Sequence, residues 1–439
     1  MFKKIPAFLV TITASLQIAS AQTTFNSLEE LWKYADVHST AIRNVHYELD
    51  KTAAAKKQSH AAFLPQINTS ASFTNNLNLQ TTLVPAIIVN PKAAAGEVVP
   101  VQFGQKYIYL AGITAQLDVL NLQTWYNVKI AEETDGLNKA NLANVSKSIY
   151  QQLGSQYYAY LLIKEAEKLA ARSSGITDSV YSSVQHKFDE GTINEANLDL
   201  AKINKARAEQ TLVNAQFQVK TILNNIKNLL DLSLADSLTI NATLTKNDVE
   251  LGAVFVEDPS VKQAYYQSRL AMSRLKASKA GFAPTVSIAY SATGQQNDNK
   301  FEPFQSGGPT WYPASYWALR ANWNIFTGGT RWLQAKQNKI SQNESQMQYE
   351  SVIKQAEIND DNLRLGYRKT QLLLEKAEQI MKLSFDNYQH MSERYEAGIA
   401  TLDDRLNSFS DYINYQNQYL NSLSDALMQT YLMKIRMKP

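Results

Sequence analysis

The sequence predicts a mainly helical chain in which four short strands contribute to a transmembrane β-barrel, built as a tandem internal repeat. Three observations carry this. Long stretches rich in Ala, Gln, Asn, Lys and Leu, almost free of Pro and Gly, alternate with short stretches of period-two, aromatic-rich sequence. The order helix, strand, long loop, strand, long helix, long helix occurs twice. An export signal opens the chain, yet beyond it no apolar run reaches the roughly 18 residues of a membrane-spanning helix. Any crossing therefore has to use strands closed into a barrel.

The signal is read from Lys3 and Lys4, a short apolar stretch from about Ile5 to Ile18, and the small-residue cleavage site Ala19-Ser20-Ala21. Residues 1–21 form this leader, and Gln22 is the expected new N-terminus. The first helix is expected from about Ser27 to Ala62, with Ser27 as N-cap and Glu30 as its reciprocal partner. Pro65 ends it, because proline cannot continue a helix and biases its predecessor to extended backbone. Ile67, Thr69, Ala71 and Phe73 then share one face of a strand, with Asn68, Ser70 and Ser72 on the other. A loop of roughly thirty residues follows, carrying Pro85, Pro91, Gly96, Pro100 and Gly104. The second strand covers about Tyr107 to Val119, with Tyr107, Tyr109, Ala111, Ile113, Ala115 and Leu117 on one face.

Two long helical stretches are expected from about Leu122 to Ser173 and from about Ile176 to Leu230. Residues 231–257 read as an irregular connector with strand-like pieces such as Ser237 to Ile240. The second repeat starts with a helix from about Pro259 to Gly281 and Pro284. A strand with Val286, Ile288 and Tyr290 on one face comes next, then a loop over about 293–313. The fourth strand places Trp317, Leu319, Ala321, Trp323 and Ile325 together, and the aromatics Trp311, Tyr312, Tyr316, Trp317 and Trp323 crowd it as an interfacial girdle would. The last helices are expected from about Gly329 to Glu396 and Thr401 to Met437. The domain reading is thus a leader at 1–21, a first repeat at 22–230, a connector at 231–257 and a second repeat at 258–439.

Strand alternation of this kind fits a barrel wall with lipid outside and water inside, and it also fits a soluble half-buried sheet. The export signal, the aromatic girdle and long loops on one side only favour the barrel. Four strands cannot close one, since the smallest bacterial examples have about eight. Several copies have to share a wall. Helices of roughly 65–70 residues would extend about 100 Å. Their modest apolar content suits helices that line a water-filled tunnel, and equally a plain antiparallel coiled coil.

Composition excludes several classes. Net charge is +3, with no clustered Lys and Arg to displace the counterions of a nucleic acid. Absence of cysteine removes disulfides, thiolate metal sites, Cys nucleophiles and an N-terminal lipid anchor of the bacterial lipoprotein kind. His38, His46, His60, His186 and His390 are scattered, with no metal pair at helical spacing. No phosphate loop, dinucleotide fingerprint or nucleophile elbow is present. The sequence therefore predicts no enzyme and no cofactor.

The repeat has fixed landmarks. Phe63-Leu64-Pro65 answers Phe282-Ala283-Pro284, and Phe188-Asp189-Glu190-Gly191 answers Tyr395-Glu396-Ala397-Gly398. Together with Trp323-Asn324-Ile325-Phe326-Thr327-Gly328-Gly329-Thr330-Arg331 and the run from Tyr395 to Asp404, these segments resemble the TolC family of outer-membrane efflux proteins over nearly all of the chain. The resemblance marks Pro65, Pro284, Gly328 and Gly329 as helix–strand junctions and Gly191, Gly398 and Thr401 as helix-turn tips. The first-half counterpart of the Gly-Gly junction, around Leu117 to Trp125, lacks the glycines.

What the resemblance implies is a homotrimer in the bacterial outer membrane that extends into the periplasm. Four strands per copy would make a twelve-stranded barrel, and the connector would form a belt around the helical tunnel. The expected function is a passive exit duct for small molecules, with outer membrane lipid around it. A periplasmic adaptor (membrane fusion) protein and an inner-membrane transporter would be its partners. Asp404 matches the family's aperture acid. Asn407 replaces the second acid, so the ring could draw on Asp403, with Tyr395 and the first-half Asn197 beside it. Asp404 is equally placed to serve as a first-turn carboxylate favoured by the helix dipole. A protein-export duct of a type I secretion system fits the same sequence, as does an exported coiled-coil scaffold or adhesin without a pore.

Overall fold

The computed structural model describes residues 22–244, 255–301 and 311–437. The expected leader lies outside them, as do residues 245–254 of the connector and 302–310 of the last long loop. In order, the elements are β1 (Gln22–Phe25), α1 (Leu28–His38), α2 (Thr40–Ala61), β2 (Gln66–Asn75), β3 (Thr81–Pro85), a short 3-10 turn, β4 (Val98–Gln102), β5 (Tyr107–Leu120), α3 (Leu122–Asp189) and α4 (Glu195–Leu229). They continue with β6 (Ser237–Ile240), α5 (Pro259–Ala280), β7 (Thr285–Asp298), β8 (Tyr312–Asn322), α6 (Thr330–Glu396) and α7 (Leu402–Met437). The series α2-β2-β5-α3-α4 recurs as α5-β7-β8-α6-α7. Among the described residues, no helix is long and apolar enough to cross a membrane.

The chain divides into two compact units, and each draws on both repeats. A sheet unit takes Glu48–Lys139 and Lys262–Ser351. Its centre is an antiparallel sheet of order β2-β5-β7-β8, which joins the hairpin strands of the two repeats through β5 and β7. β2 and β8 are left as edges. Within this unit the Glu133 carboxylate, almost fully buried, accepts from Arg269 Nη2 at 3.2 Å and lies 3.6 Å from Lys129 Nζ. Burial of a carboxylate is tolerated because these cations pair with it.

The helical unit takes the described residues of Met1–Tyr47, Ala140–Val261 and Val352–Pro439. Leu31, Leu153, Ile226 and Leu230, each 0% exposed, anchor its core with Tyr157, Tyr160 and Tyr431. Full burial of such side chains contributes about 1.5–3 kcal/mol apiece. Gly154 is there because the Tyr431 ring fills its side-chain space: a Cβ would come within 2.1 Å of that ring. β1 pairs in parallel with β6, so the connector strand read at Ser237 to Ile240 has a partner the sequence did not disclose. The far end of the connector is held through Arg436, which donates to the Val256 carbonyl, and charge pairs flank it. Arg436 binds Asp360 bidentately at 2.7 and 2.8 Å, and Lys147 Nζ lies 2.5 Å from Asp258. Burial of Asp258 opposes ionisation, but its bonds from Lys147 and Ser260 outweigh this and hold its carboxyl below the usual range.

Several boundaries differ from the sequence reading. The first helix breaks at Ser39, whose backbone is extended (φ −60°, ψ 120°), and the freed Thr40 N–H donates to the Asp231 carboxylate. α3 runs unbroken through Ser173-Ser174-Gly175, and the turn comes at 190–194 instead. The hydroxyl of Thr177 returns to the Ser173 and Ser174 carbonyls at 3.0 Å, so it is satisfied within the helix. The long loop after β2 contains the β3–β4 hairpin, in which Pro100 is tolerated because a two-stranded ribbon has only edges. The fourth strand ends at Asn322, and Trp323 to Ile325 are unpaired.

Candidate functional site

The expected tip residues all lie in the helical unit, where α3 meets α4 and α6 meets α7. Both turns close with one backbone device. Thr192 N–H reaches the Lys187 carbonyl at 2.9 Å and Gly191 N–H the Phe188 carbonyl at 2.9 Å. In the second turn Ile399 N–H reaches Arg394 at 2.8 Å and Gly398 N–H reaches Tyr395 at 3.1 Å. This paired closure requires a left-handed residue at the helix end, and Gly191 (φ 73°) and Gly398 (φ 74°) supply it.

Three residues on, each turn caps the next helix. Asn194 Oδ1 accepts from Asn197 N–H at 3.0 Å, and Thr401 Oγ1 accepts from Asp404 N–H at 3.1 Å. In the second turn the bond is returned: Asp404 Oδ2 accepts from Thr401 N–H at 3.0 Å and from its hydroxyl at 2.7 Å. The hydroxyl bond first, then the backbone bond, hold the Asp404 carboxyl below its usual range. Asp403 Oδ2 accepts from the Asn407 amide at 3.1 Å. Asp404 therefore has a capping function of its own, and the residue standing where a second acid was expected is bound to Asp403.

Val184, Leu198, Ala201, Leu402 and Leu406 form a small buried core that joins the two turns, with Phe188, Ile193 and Tyr395 packed on it. Sequence reasoning missed the cations around Tyr395. Lys187 Nζ lies 5.1 Å from its ring centroid and Arg405 Cζ 5.3 Å, contacts of about 0.5–1 kcal/mol each at exposed sites. Lys187 directly precedes the first-half landmark at Phe188, the nearest thing to a sequence signal for it.

The junction residues Pro65, Pro284, Gly328 and Gly329 lie in the sheet unit. Gly328 (φ 62°) and Gly329 (φ 81°) turn the chain from the end of β8 into α6. Arg331 Nη1 donates to the Asn324 carbonyl at 3.1 Å. Trp323 Nε1 donates to the Phe282 carbonyl at 3.0 Å, so the strand-to-helix motif is fastened to the helix-to-strand motif before β7. In the first repeat the corresponding contact is the Phe63 ring edge-on to Trp125 at 5.4 Å.

Register gives the sheet two chemically distinct faces. Ile67, Ala115, Tyr290 and Trp317 make one continuous cross-strand row, and Leu117, Ile288 and Leu319 continue the same face. Asn68, Thr114, Ser291 and Tyr316 make a row on the opposite face, beside Gln66, Gln116, Ala289 and Ala318. On the apolar side Ile67 is 70% and Trp317 75% exposed in the single chain, so among the described residues nothing covers that row. Among the described residues, no cluster of His, Asp or Glu could hold a metal ion.

Residues 31–231 match the family model described as outer membrane efflux protein. Solved structures share the fold at low identity. The outer membrane protein VceC of Vibrio cholerae superposes with a TM-score of 0.76 at 17% identity, covering 93% of this chain and 96% of that one. The CmeC outer membrane channel of Campylobacter jejuni does so at 0.74 and 15% identity, covering 100% and 94%. An uncharacterized protein of Haemophilus influenzae is 20% identical over 367 residues, 81% of this chain and 79% of that protein.

Proposed function

From the match of residues 31–231 to the outer membrane efflux protein family model, we propose that this chain is the outer-membrane channel subunit of an efflux system. The observation that carries the reading is the two-faced sheet with two open edges. A spanning sheet must satisfy every backbone group internally, because an unpaired N–H or C=O in hydrocarbon costs several kcal/mol. The edges β2 and β8 run antiparallel to each other. Pairing β8 of one copy with β2 of the next removes both edges, and three copies give a closed antiparallel wall of twelve strands. Its apolar rows face lipid and its Asn, Gln, Ser and Thr rows face water.

In this reading residues 22–230 and 258–439 are equivalent halves joined by the connector at 231–257, and the leader at 1–21 directs export. The helices line an exit duct through the periplasm for small molecules. The duct is passive: a periplasmic adaptor and an inner-membrane transporter supply the drive, and the chain does no catalysis. The two turns form the periplasmic aperture. Asp404 and Asp403 give it a negative ring that attracts cations, with Tyr395, Asn407 and Asn197 beside it.

Single-channel conductance of the detergent-purified protein in planar bilayers tests this, with wild type set against Asp404→Ala. The expected result is discrete pores whose opening or cation block changes in the variant. Pores indifferent to the substitution would keep the duct and remove Asp404 from its gate. A folded protein that stays soluble without detergent and gives no conductance would sink the reading.

A further inference from the structure

The four wall strands hold three charged residues, Asp118, Asp298 and Arg320. Asp298 ends β7 opposite Tyr107, on the apolar face. Asp118 and Arg320 share the polar face and a single cross-strand row, because Ser287 is the direct partner of Asp118 on one side and of Arg320 on the other. Two interstrand steps set their backbones about 10 Å apart. Asp118 Oδ2 accepts from the uncharged Asn121 amide at 3.1 Å. Arg320 is exposed and has no ionic or hydrogen-bonding partner among the described residues.

We propose that Asp118 and Arg320 form a charge-balanced band on the water-lined interior of the wall, which makes that stretch indifferent to the sign of a passing solute. The inference rests on the barrel reading above. Strand order gives the band its pattern. From Asp118 to Arg320 is two strands, through β7. Across a β8–β2 seam, the next Asp118 is again two strands away, through the neighbouring β2 and on to β5. Carboxylates and guanidiniums therefore alternate on every second strand around the wall. Their spacing is comparable to the Debye length of about 8–10 Å, so opposite fields cancel for a solute on the axis, whereas a ring of one sign would not. Other positions on the face carry no charge: β2 offers Gln66, Asn68 and Ser70, and β7 offers Ser291, Thr293 and Gln295. Selection by charge therefore belongs to another part of the duct.

The chain has no cysteine, so Ser287→Cys introduces a single thiol between the two charges. Its reaction rates with a cationic trimethylammonium and an anionic sulfonate methanethiosulfonate, applied from outside the cell, read the local potential whatever the state of the periplasmic tip. Relative to a free thiol, the two rates should be balanced in Ser287→Cys. Adding Arg320→Gln should favour the cationic reagent about fivefold, and Arg320→Glu more; adding Asp118→Asn should reverse the preference. Combining Arg320→Gln with Asp118→Asn should restore balance. Asn121 can still donate to an Asn carbonyl at 118, and the Arg320 variants carry the test should that substitution impair folding. A reactive thiol with the same ratio in every background, or a strong sign preference in Ser287→Cys alone, overturns the balanced band. A thiol in folded, heat-resistant oligomers that reacts with neither reagent overturns the water-lined wall itself, and the band with it.

Discussion

The α3–α4 turn and the α6–α7 turn close on the same backbone hydrogen bonds, with glycine at the same step and a cap three residues later, yet their caps differ in kind. Asn194 accepts one bond from the backbone and returns none, whereas Thr401 and Asp404 exchange bonds in both directions. The junctions diverge in the same way: the second repeat fastens Trp323 to Phe282 and turns on two left-handed glycines, while the first relies on a ring contact between Phe63 and Trp125. Backbone requirements are thus common to the two turns but not to the two junctions, and the side chains that reinforce them differ at both. Should the turns move, the α3–α4 turn is the one with less holding its cap.

The largest effects should come from what the turns share. Gly191→Val and Gly398→Val each force a β-branched residue into left-handed backbone, at about 2 kcal/mol, with open space around both positions leaving no packing term to confuse the comparison. Thermal denaturation of the detergent-solubilised protein should show nearly equal losses; a loss confined to one turn would break the equivalence. Cap removal should then separate them. Thr401→Ala should cost about 1–2 kcal/mol and Asn194→Ala about 1 kcal/mol or less.

Trp323→Phe keeps an aromatic ring and deletes the indole donor to Phe282, an expected loss of about 1 kcal/mol, with Trp125→Phe near neutral in the same assay. The smallest effect is an acid one. Because the folded carboxyl of Asp404 titrates below its unfolded value of 3.8, its support of the α7 cap is complete above that value. The support fades as pH falls below 3.8 and through the lowered folded value. Protection of the α7 N-terminal amides in hydrogen exchange should drop there, while the α4 N-terminus, whose Asn194 cap does not titrate, should lose less, through Glu195 alone. Loss at both ends in parallel would remove Asp404 as the cause.

Strand faces were legible because two environments impose a period-two contrast on each strand, and Ile67, Ala115, Tyr290 and Trp317 need no knowledge of register to be seen as apolar. The turn glycines and caps were legible for a similar reason: their chemistry is local. Long-range satisfaction was not legible. The break at Ser39 depends on a carboxylate 191 residues away, and Lys187 meets Tyr395 across 208 residues. The sequence Ser173-Ser174-Gly175 imitates a helix end, since nothing in composition reveals that the helix continues past it and that the Thr177 hydroxyl bonds back to the Ser173 and Ser174 carbonyls. The β3–β4 hairpin was obscured by Pro85 and Pro100, which read as loop residues until the strands are seen to form a free ribbon. Chemistry at Asp404 was found from a motif, but whether its carboxylate is free or engaged could only be decided by the atoms around Thr401.

The open edges β2 and β8 also bear on biogenesis and genetics. If the sheet forms the proposed barrel wall, a lone subunit with two unpaired ladders has no stable place in hydrocarbon, and insertion has to await or accompany association. A subunit carrying a proline in the middle of β2 could still join a partner through β8 and leave the ring unclosed. Co-expressed with the normal chain, such a subunit should be dominant, with the intact fraction falling as the cube of the normal subunit's share in a three-copy ring. The interval before association is also when the chain is most open to misjoining, and a chain without cysteine cannot be trapped during it by a wrong disulfide.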